Sequence, residues 1–136
     1  MTYILDASAL MALFKREKGA DKVETLIAGA EAGQSGIYMN TINLIEVYYL
    51  FFRAVGKDGA DVILEKIYDM PITFIDTIDD VIFSETSRLK ATYSIPLGDA
   101  IGMATAIKLG GSFVTGDHSD IEKIEEAESI SVFWFR

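Results

Sequence analysis

Short apolar runs at Thr2–Asp6, Ile37–Asn40, Ile72–Asp76, Ser112–Thr115 and Ser131–Phe135 are separated by longer stretches with apolar residues at helical spacing. This alternation restricts the fold more than any other property of the chain. The runs suit buried strands, and the segments between them are long enough to cross over a sheet, so the pattern indicates βαβ units and parallel pairing. Helices are expected over about Ala7–Lys15, Ala20–Ala32, Ile42–Val55, Gly59–Asp69, Asp79–Tyr93, Asp99–Leu109 and Asp120–Glu128. Gly19, Gly56 and Gly110-Gly111 separate or end them, Pro71 follows one, and Pro96 and Gly98 open another. The expected architecture is α/β: one domain over residues 1–136, a three-layer α/β/α sandwich around a mainly parallel, about five-stranded sheet.

Composition narrows the chemistry. Half of the 136 residues are hydrophobic, which supplies a core and excludes disorder. With no cysteine there is no disulfide, no Cys-ligated zinc or iron–sulfur centre and no thiol nucleophile; the single histidine, His118, excludes a multi-His zinc site. The apolar stretch Ile4–Phe14 is broken by Asp6 and followed, not preceded, by Lys15-Arg16, unlike a secretory leader. Leu44–Phe52 contains Glu46 and falls far short of the ~18 apolar residues of a membrane span. A cytoplasmic protein with no membrane contact is expected. The net charge of −9 argues against indiscriminate polyanion binding, which relies on Lys and Arg neutralising phosphates.

Ligand sites of open parallel sheets form at the carboxyl ends of the strands, which directs attention to the acids there. Asp6 closes the first strand, Glu46 lies one turn into the helix after the second, Asp99 opens the helix leading to the fourth, and Asp117 follows the fourth. Asp76 ends the third strand but falls towards an edge. Each has an ordinary structural use. Asp6 suits a helix cap, Asn43 with Glu46 forms a capping-box pattern, Asp99 complements a helix dipole, and Asp117 suits a turn before Ser119 and Glu122 cap the next helix. Together, four carboxylates at one end of one sheet repel each other unless a cation lies between them. With only oxygen donors, Mg²⁺ or Mn²⁺ fits and Zn²⁺ does not.

Four segments carry a resemblance: Tyr3-Ile-Leu-Asp-Ala-Ser-Ala-Leu10, Thr41-Ile-Asn-Leu-Ile-Glu-Val47, Leu97-Gly-Asp-Ala-Ile-Gly-Met-Ala-Thr-Ala106 and Phe113-Val-Thr-Gly-Asp-His-Ser-Asp-Ile121. In this order and spacing the chain resembles PIN-domain ribonucleases, most closely the VapC-like toxins of type II toxin–antitoxin pairs. The resemblance implies a metal-dependent endoribonuclease. Asp6, Glu46 and Asp99 match the family's metal-site acids, and Asp117 a more variable fourth. Ser8 and Thr115 match supporting hydroxyl residues. Asp120 is a reserve acid, followed by Ile121 where the family usually has an aromatic residue. The implied cofactor is Mg²⁺ or Mn²⁺, and the implied partners are an RNA substrate and a cognate antitoxin. A non-catalytic PIN-like module that binds RNA or protein is the alternative.

Rival strand-ending-Asp families fit less well. A haloacid dehalogenase-like phosphatase wants an acid where Ser8 stands, a receiver domain needs an early acidic pair and a strand-ending Lys, and a metal-dependent adhesion motif needs a Ser where Leu10 stands. Lys15, Arg16, Lys18, Arg53 and Lys57 are candidate RNA contacts, since two divalent ions would still leave the chain negative. On the helix Ile42–Val55, one face carries Leu44, Val47, Tyr48, Phe51 and Val55, and an adjacent face Ile45, Tyr49 and Phe52. An apolar surface that wide is expected to be covered on two sides, the second by a homodimer partner or an antitoxin segment, unless the helix is sandwiched wholly within its own domain. His118, a lone loop histidine, is left out of the site.

Overall fold

Strand β1 (Thr2–Leu5) shows how the layers arise. Tyr3 and Leu5 enter one core and Ile4 the other, as the two-residue period of a strand requires. In β4 (Ser112–Thr115), Val114 and Phe113 divide in the same way. The computed structural model describes Met1–Arg136, and its remaining elements are α1 (Ala7–Lys15), α2 (Ala20–Glu31), β2 (Gly36–Asn40), α3 (Thr41–Tyr68), β3 (Ile72–Ile75), α4 (Asp80–Thr92), α5 (Leu97–Leu109), α6 (Ile121–Glu128) and β5 (Val132–Trp134). The sheet has five strands in the order β3-β2-β1-β4-β5, and every pairing is parallel. Helices α1, α2 and α3 cover the Tyr3–Leu5 face, and α4, α5 and α6 the Ile4–Phe113 face. The expected α/β/α sandwich is the observed one.

Helix α5 is buried without interruption from Asp99 to Ala106. Its small residues allow this: a Cβ on Gly102 would lie 2.5 Å from Cε1 of Phe113, so the helix rests directly on the aromatic ring of β4.

Several local expectations change. The helices anticipated on either side of Gly56 form one element, Thr41–Tyr68, with a single break at Gly56 (φ 80°, ψ 175°). Glycine takes this left-handed φ without steric cost, and the helix resumes at once instead of passing through a loop. The capping box at Asn43 does not form. Asn40 caps α3, its Oδ1 accepting the Ile42 N–H at 2.9 Å, because the residue that ends β2 already starts the helix. Asn43 is therefore inside the first turn, fully buried. Helix α5 starts at Leu97, so Asp99 lies within its first turn. Ser119 does not cap α6; its hydroxyl turns back to Asp117 Oδ1 at 2.9 Å. On α3, Leu44, Val47 and Phe51 are buried, but Val55, expected beside them, is exposed together with Ile45, Tyr49 and Phe52. Val55 immediately precedes the break at Gly56, past which the helix buries Ala60 and Ile67 in the same core. No helix is long and apolar enough to cross a membrane.

Candidate active site

Strands β1 and β4 lie side by side at the centre of the sheet, with β2 and β3 built outward on one side and β5 on the other. The strand order reverses between them, and parallel sheets form their ligand crevice at such a point. Asp6 leaves the end of β1 and Asp117 follows β4. Glu46 comes from the second turn of α3 and Asp99 from the first turn of α5. All four line one cleft, with Ser8, Lys15, Glu17 and Arg136 around them.

Asp6 is the most constrained of the four. Its Oδ1 accepts the Ala7 N–H at 2.8 Å, which caps α1. Its Oδ2 accepts the hydroxyls of Ser8 and Thr115, both at 2.8 Å. Each hydroxyl has one proton, and both are committed to Asp6. Their lone pairs then accept from the next loop: Gly116 N–H donates to Ser8 Oγ at 3.2 Å and Asp117 N–H to Thr115 Oγ1 at 3.1 Å. The network clasps the end of β1 to the end of β4 and fixes the start of the Asp117 loop. Asp117 Oδ1 also accepts the Ser119 N–H at 3.2 Å, so this acid does serve a turn while facing the cleft.

Glu46 is aimed from the other side. Asn43 Nδ2 donates to the Gly98 carbonyl at 3.0 Å and binds α3 to the first turn of α5. A Cβ on Gly98 would stand 3.2 Å from Glu46 Oε1, so the missing side chain lets the carboxylate approach the turn that carries Asp99.

Burial and like charge shift three of these carboxylates in the same direction. Burial pushes the Asp6 carboxyl up, against the hydrogen bonds from Ser8, Thr115 and Ala7, and the charge of Asp117 adds to the rise. Burial also raises Glu46, as do the charges of Asp6 and Asp117. Asp99 is pushed up to about 7 by burial first and then by Asp6, Asp117 and Glu46. Like charge therefore adds to burial at each of the three, and most widely at Asp99.

The donor set fits a hard divalent cation: all oxygen, partly buried and electrostatically uncompensated. The side chains do not, however, form a closed cage, since no three of them are grouped at metal-holding geometry. A closed cage is not a requirement for Mg²⁺, which keeps several waters and takes only one or two carboxylates directly.

Of the acids anticipated from the sequence, Asp6, Glu46, Asp99 and Asp117 share the cleft, and Asp120 does not; it is exposed at the start of α6. Of the five basic candidates only Lys15 lines the cleft. Arg16 pairs with Glu24, Lys57 with Asp61 at 2.7 Å, and Arg53 lies over the Tyr49 ring at 5.0 Å. Glu17, Asn43 and Arg136 were missed. Arg136 was accessible to the same strand-end rule, for it closely follows β5, the neighbour of β4. His118 is exposed yet engaged, stacked on Trp134 with ring centroids 4.1 Å apart.

An all-parallel α/β sandwich with its ligand crevice at a switch point is a recurrent class, and solved structures share this chain's fold over nearly its whole length. VapBC2 from Rickettsia felis, determined bound to a DNA fragment from its promoter, superimposes with a TM-score of 0.79 at 16% identity, covering 98% of each chain. VapBC-1 from nontypeable Haemophilus influenzae gives 0.73 at 17% identity, covering 99% of this chain and 98% of that one. VapC20 from Mycobacterium tuberculosis, a sarcin–ricin loop cleaving toxin, gives 0.65 at 12% identity over 90% of this chain and 93% of that one. No curated protein sequence matches. The PIN domain family model matches residues 3–127, and the chain belongs to that family, with a VapC-like fold.

Proposed function

We propose that this protein is a Mg²⁺- or Mn²⁺-dependent endoribonuclease that hydrolyses RNA phosphodiester bonds, and that it is the cytoplasmic toxin of a toxin–antitoxin pair. The observation that carries this reading is the convergence of Asp6, Glu46, Asp99 and Asp117 on one cleft, where burial and mutual repulsion raise three of them. Membership of the PIN family and the fold shared with VapC proteins add support.

Asp6 and Asp99 would be the principal holders of the ion, with Glu46 and Asp117 completing the set. The bound cation would lower the pKa of a water at the scissile phosphate and screen charge growing on the phosphoryl oxygens. Ser8 and Thr115 hold Asp6 through Oδ2, so a bound ion would meet a carboxylate fixed by the sheet and not a mobile side chain. Asn43 keeps the turn carrying Asp99 against α3 and therefore opposite Glu46. Lys15, at the rim, supplies positive charge that an RNA backbone entering an acidic cleft requires. The exposed apolar side of α3, with Ile45, Tyr49, Phe52 and Val55, supports burial by a homodimer partner or the cognate antitoxin.

The test is RNA incubated with Mg²⁺ or Mn²⁺ and the protein, Asp6→Asn or Asp99→Asn. The expected result is cleavage by the parent and a loss of at least about a hundredfold in either variant. Equal cleavage by all three would point to a contaminating nuclease. The open arrangement of the carboxylates favours one second reading, a module that binds RNA or protein without cutting; RNA retained by the parent and never cleaved would select it. Growth arrest on expression, relieved by Asp99→Asn, supports the toxin assignment.

A further inference from the structure

Arg136 is the second cation of the acidic cleft, and it is held there from several sides. Its Nε donates to the Gly116 carbonyl at 3.3 Å, and its guanidinium lies 3.4 Å from Glu17 Oε1. Its own carbonyl accepts from His118 Nε2 at 2.5 Å, and the preceding Phe135 N–H donates to the Thr115 carbonyl at 3.3 Å. Gly116 makes the seat possible. A Cβ there would stand 2.6 Å from Arg136 Nε and 2.6 Å from the Phe135 ring, so any side chain would push the guanidinium away. Gly116 belongs to the loop that Ser8 and Thr115 tie to Asp6. The guanidinium is thus fixed relative to the reacting acids, and its side chain remains about 30% exposed towards the cleft.

Glu17 holds both cleft cations, Arg136 at 3.4 Å and Lys15 at 3.7 Å. Such long, part-exposed ion pairs are weak and exchange readily. A phosphodiester presents two non-bridging oxygens that share its negative charge and match the guanidinium fork better than one carboxylate oxygen at 3.4 Å. Four basic residues elsewhere are engaged by acids away from the cleft: Arg16 by Glu24, Lys57 by Asp61, Arg88 by Glu85 and Glu128, and Lys108 by Asp79.

We infer that Arg136 is the residue that grips the RNA backbone at this cleft, and that Glu17 occupies its guanidinium until a phosphate displaces it. The inference rests on the endoribonuclease reading and deepens it by naming how an acidic site retains an anionic substrate. Glu17 therefore opposes RNA binding although it supports the resting structure, and substitution of the two partners has opposite effects.

The experiment measures the affinity of a labelled single-stranded RNA for the Asp99→Asn protein with Mg²⁺, across a salt series. Adding Arg136→Gln is expected to weaken binding about tenfold. It should also flatten the dependence of log affinity on log salt by about 0.7, the contribution of one single-strand phosphate contact. Arg136→Lys should fall between, keeping the charge without the fork. Glu17→Gln should tighten binding several-fold. An unchanged salt slope in Arg136→Gln, or weaker binding in Glu17→Gln, overturns the inference, because a purely structural strap loses in both directions. Cleavage by the unaltered protein, run in parallel, separates the two levels. If it cuts RNA while these variants bind like their parent, the inference alone fails; if it neither cuts nor binds RNA, the function beneath it fails too.

Discussion

At the amino end of the sheet, beside the starts of β4 and β5, Glu128 accepts the Tyr93 hydroxyl at 2.5 Å and pairs with Arg88 at 2.8 Å. Those contacts hold its carboxyl below the usual range. At the carboxyl end, Asp99 is surrounded by Asp6, Asp117 and Glu46 and is pushed up to about 7. At the amino end the carboxyl is paired within the chain, whereas at the carboxyl end the nearest charges are other carboxylates. The contrast separates acids that stabilise the fold from acids that are kept at its expense, a signature of functional sites.

The sharpest way to break this contrast is to remove a donor from the acid that depends on it most. Thr115→Val deletes a hydroxyl from buried Asp6 and leaves the Asp117 N–H without its acceptor. It is expected to cost about 2–3 kcal/mol in urea unfolding, the range for losing a buried hydrogen bond to an ionisable group. A cost near zero would mean that the clasp between β1 and β4 is dispensable.

A second experiment sharpens the sign. The ordinary Asp value is 3.8 and that of folded Asp99 about 7, so in this window the folded chain binds more protons than the unfolded chain. Stability of the metal-free protein therefore falls as pH rises through the window, and the full penalty is present above it. Asp99→Asn removes that penalty. It should stabilise the metal-free protein by about 2 kcal/mol at about pH 8, after discounting for water in the cleft, and by nothing near pH 3. Mg²⁺ or Mn²⁺ should raise the melting temperature of the parent at about pH 8 and do so much less for the variant. Thermal scans with and without metal check both statements.

The smallest effect belongs to the amino end, with the opposite pH dependence. Glu128 has a folded value below its ordinary 4.5, so its contribution is present above that value and is lost as pH falls through the folded one. Arg88→Ala should cost about 0.5 kcal/mol at neutral pH, because the pair is solvent-screened, and the difference from the parent should shrink in acid. A gain in stability would show that the two ends are not electrostatically distinct.

How far these features were legible differs from residue to residue. Asp6, Glu46, Asp99 and Asp117 were findable because each follows a strand or opens a helix, and strand ends collect on one edge of a parallel sheet. Arg136 obeys the same rule after β5, but as a base it stands outside the pattern that the acids make. Glu17 left no signal, since it follows α1 and reaches the cleft through a turn with no motif of its own. The apolar circumference noticed on α3 is real, but periodicity cannot say which apolar face is covered. In the folded chain Ile45, Tyr49 and Phe52 are exposed, and the helix enclosed on all sides is α5, where Gly98, Gly102 and the alanines permit close approach. Asn43 was read as a cap because helix starts shift by a turn when two candidate Asn residues lie three apart, and the end of β2 selected Asn40.

The pattern of short apolar runs and amphipathic spacers determined the layered parallel fold, because side-chain periodicity and chain length alone decide which segments can pair and which must cross over. The order of the strands, the reversal between β1 and β4, the clasp on Asp6 and the seat of Arg136 beside Gly116 came from the tertiary structure. They join residues from about twenty to more than a hundred positions apart, and they arise only once packing has brought the strand ends together.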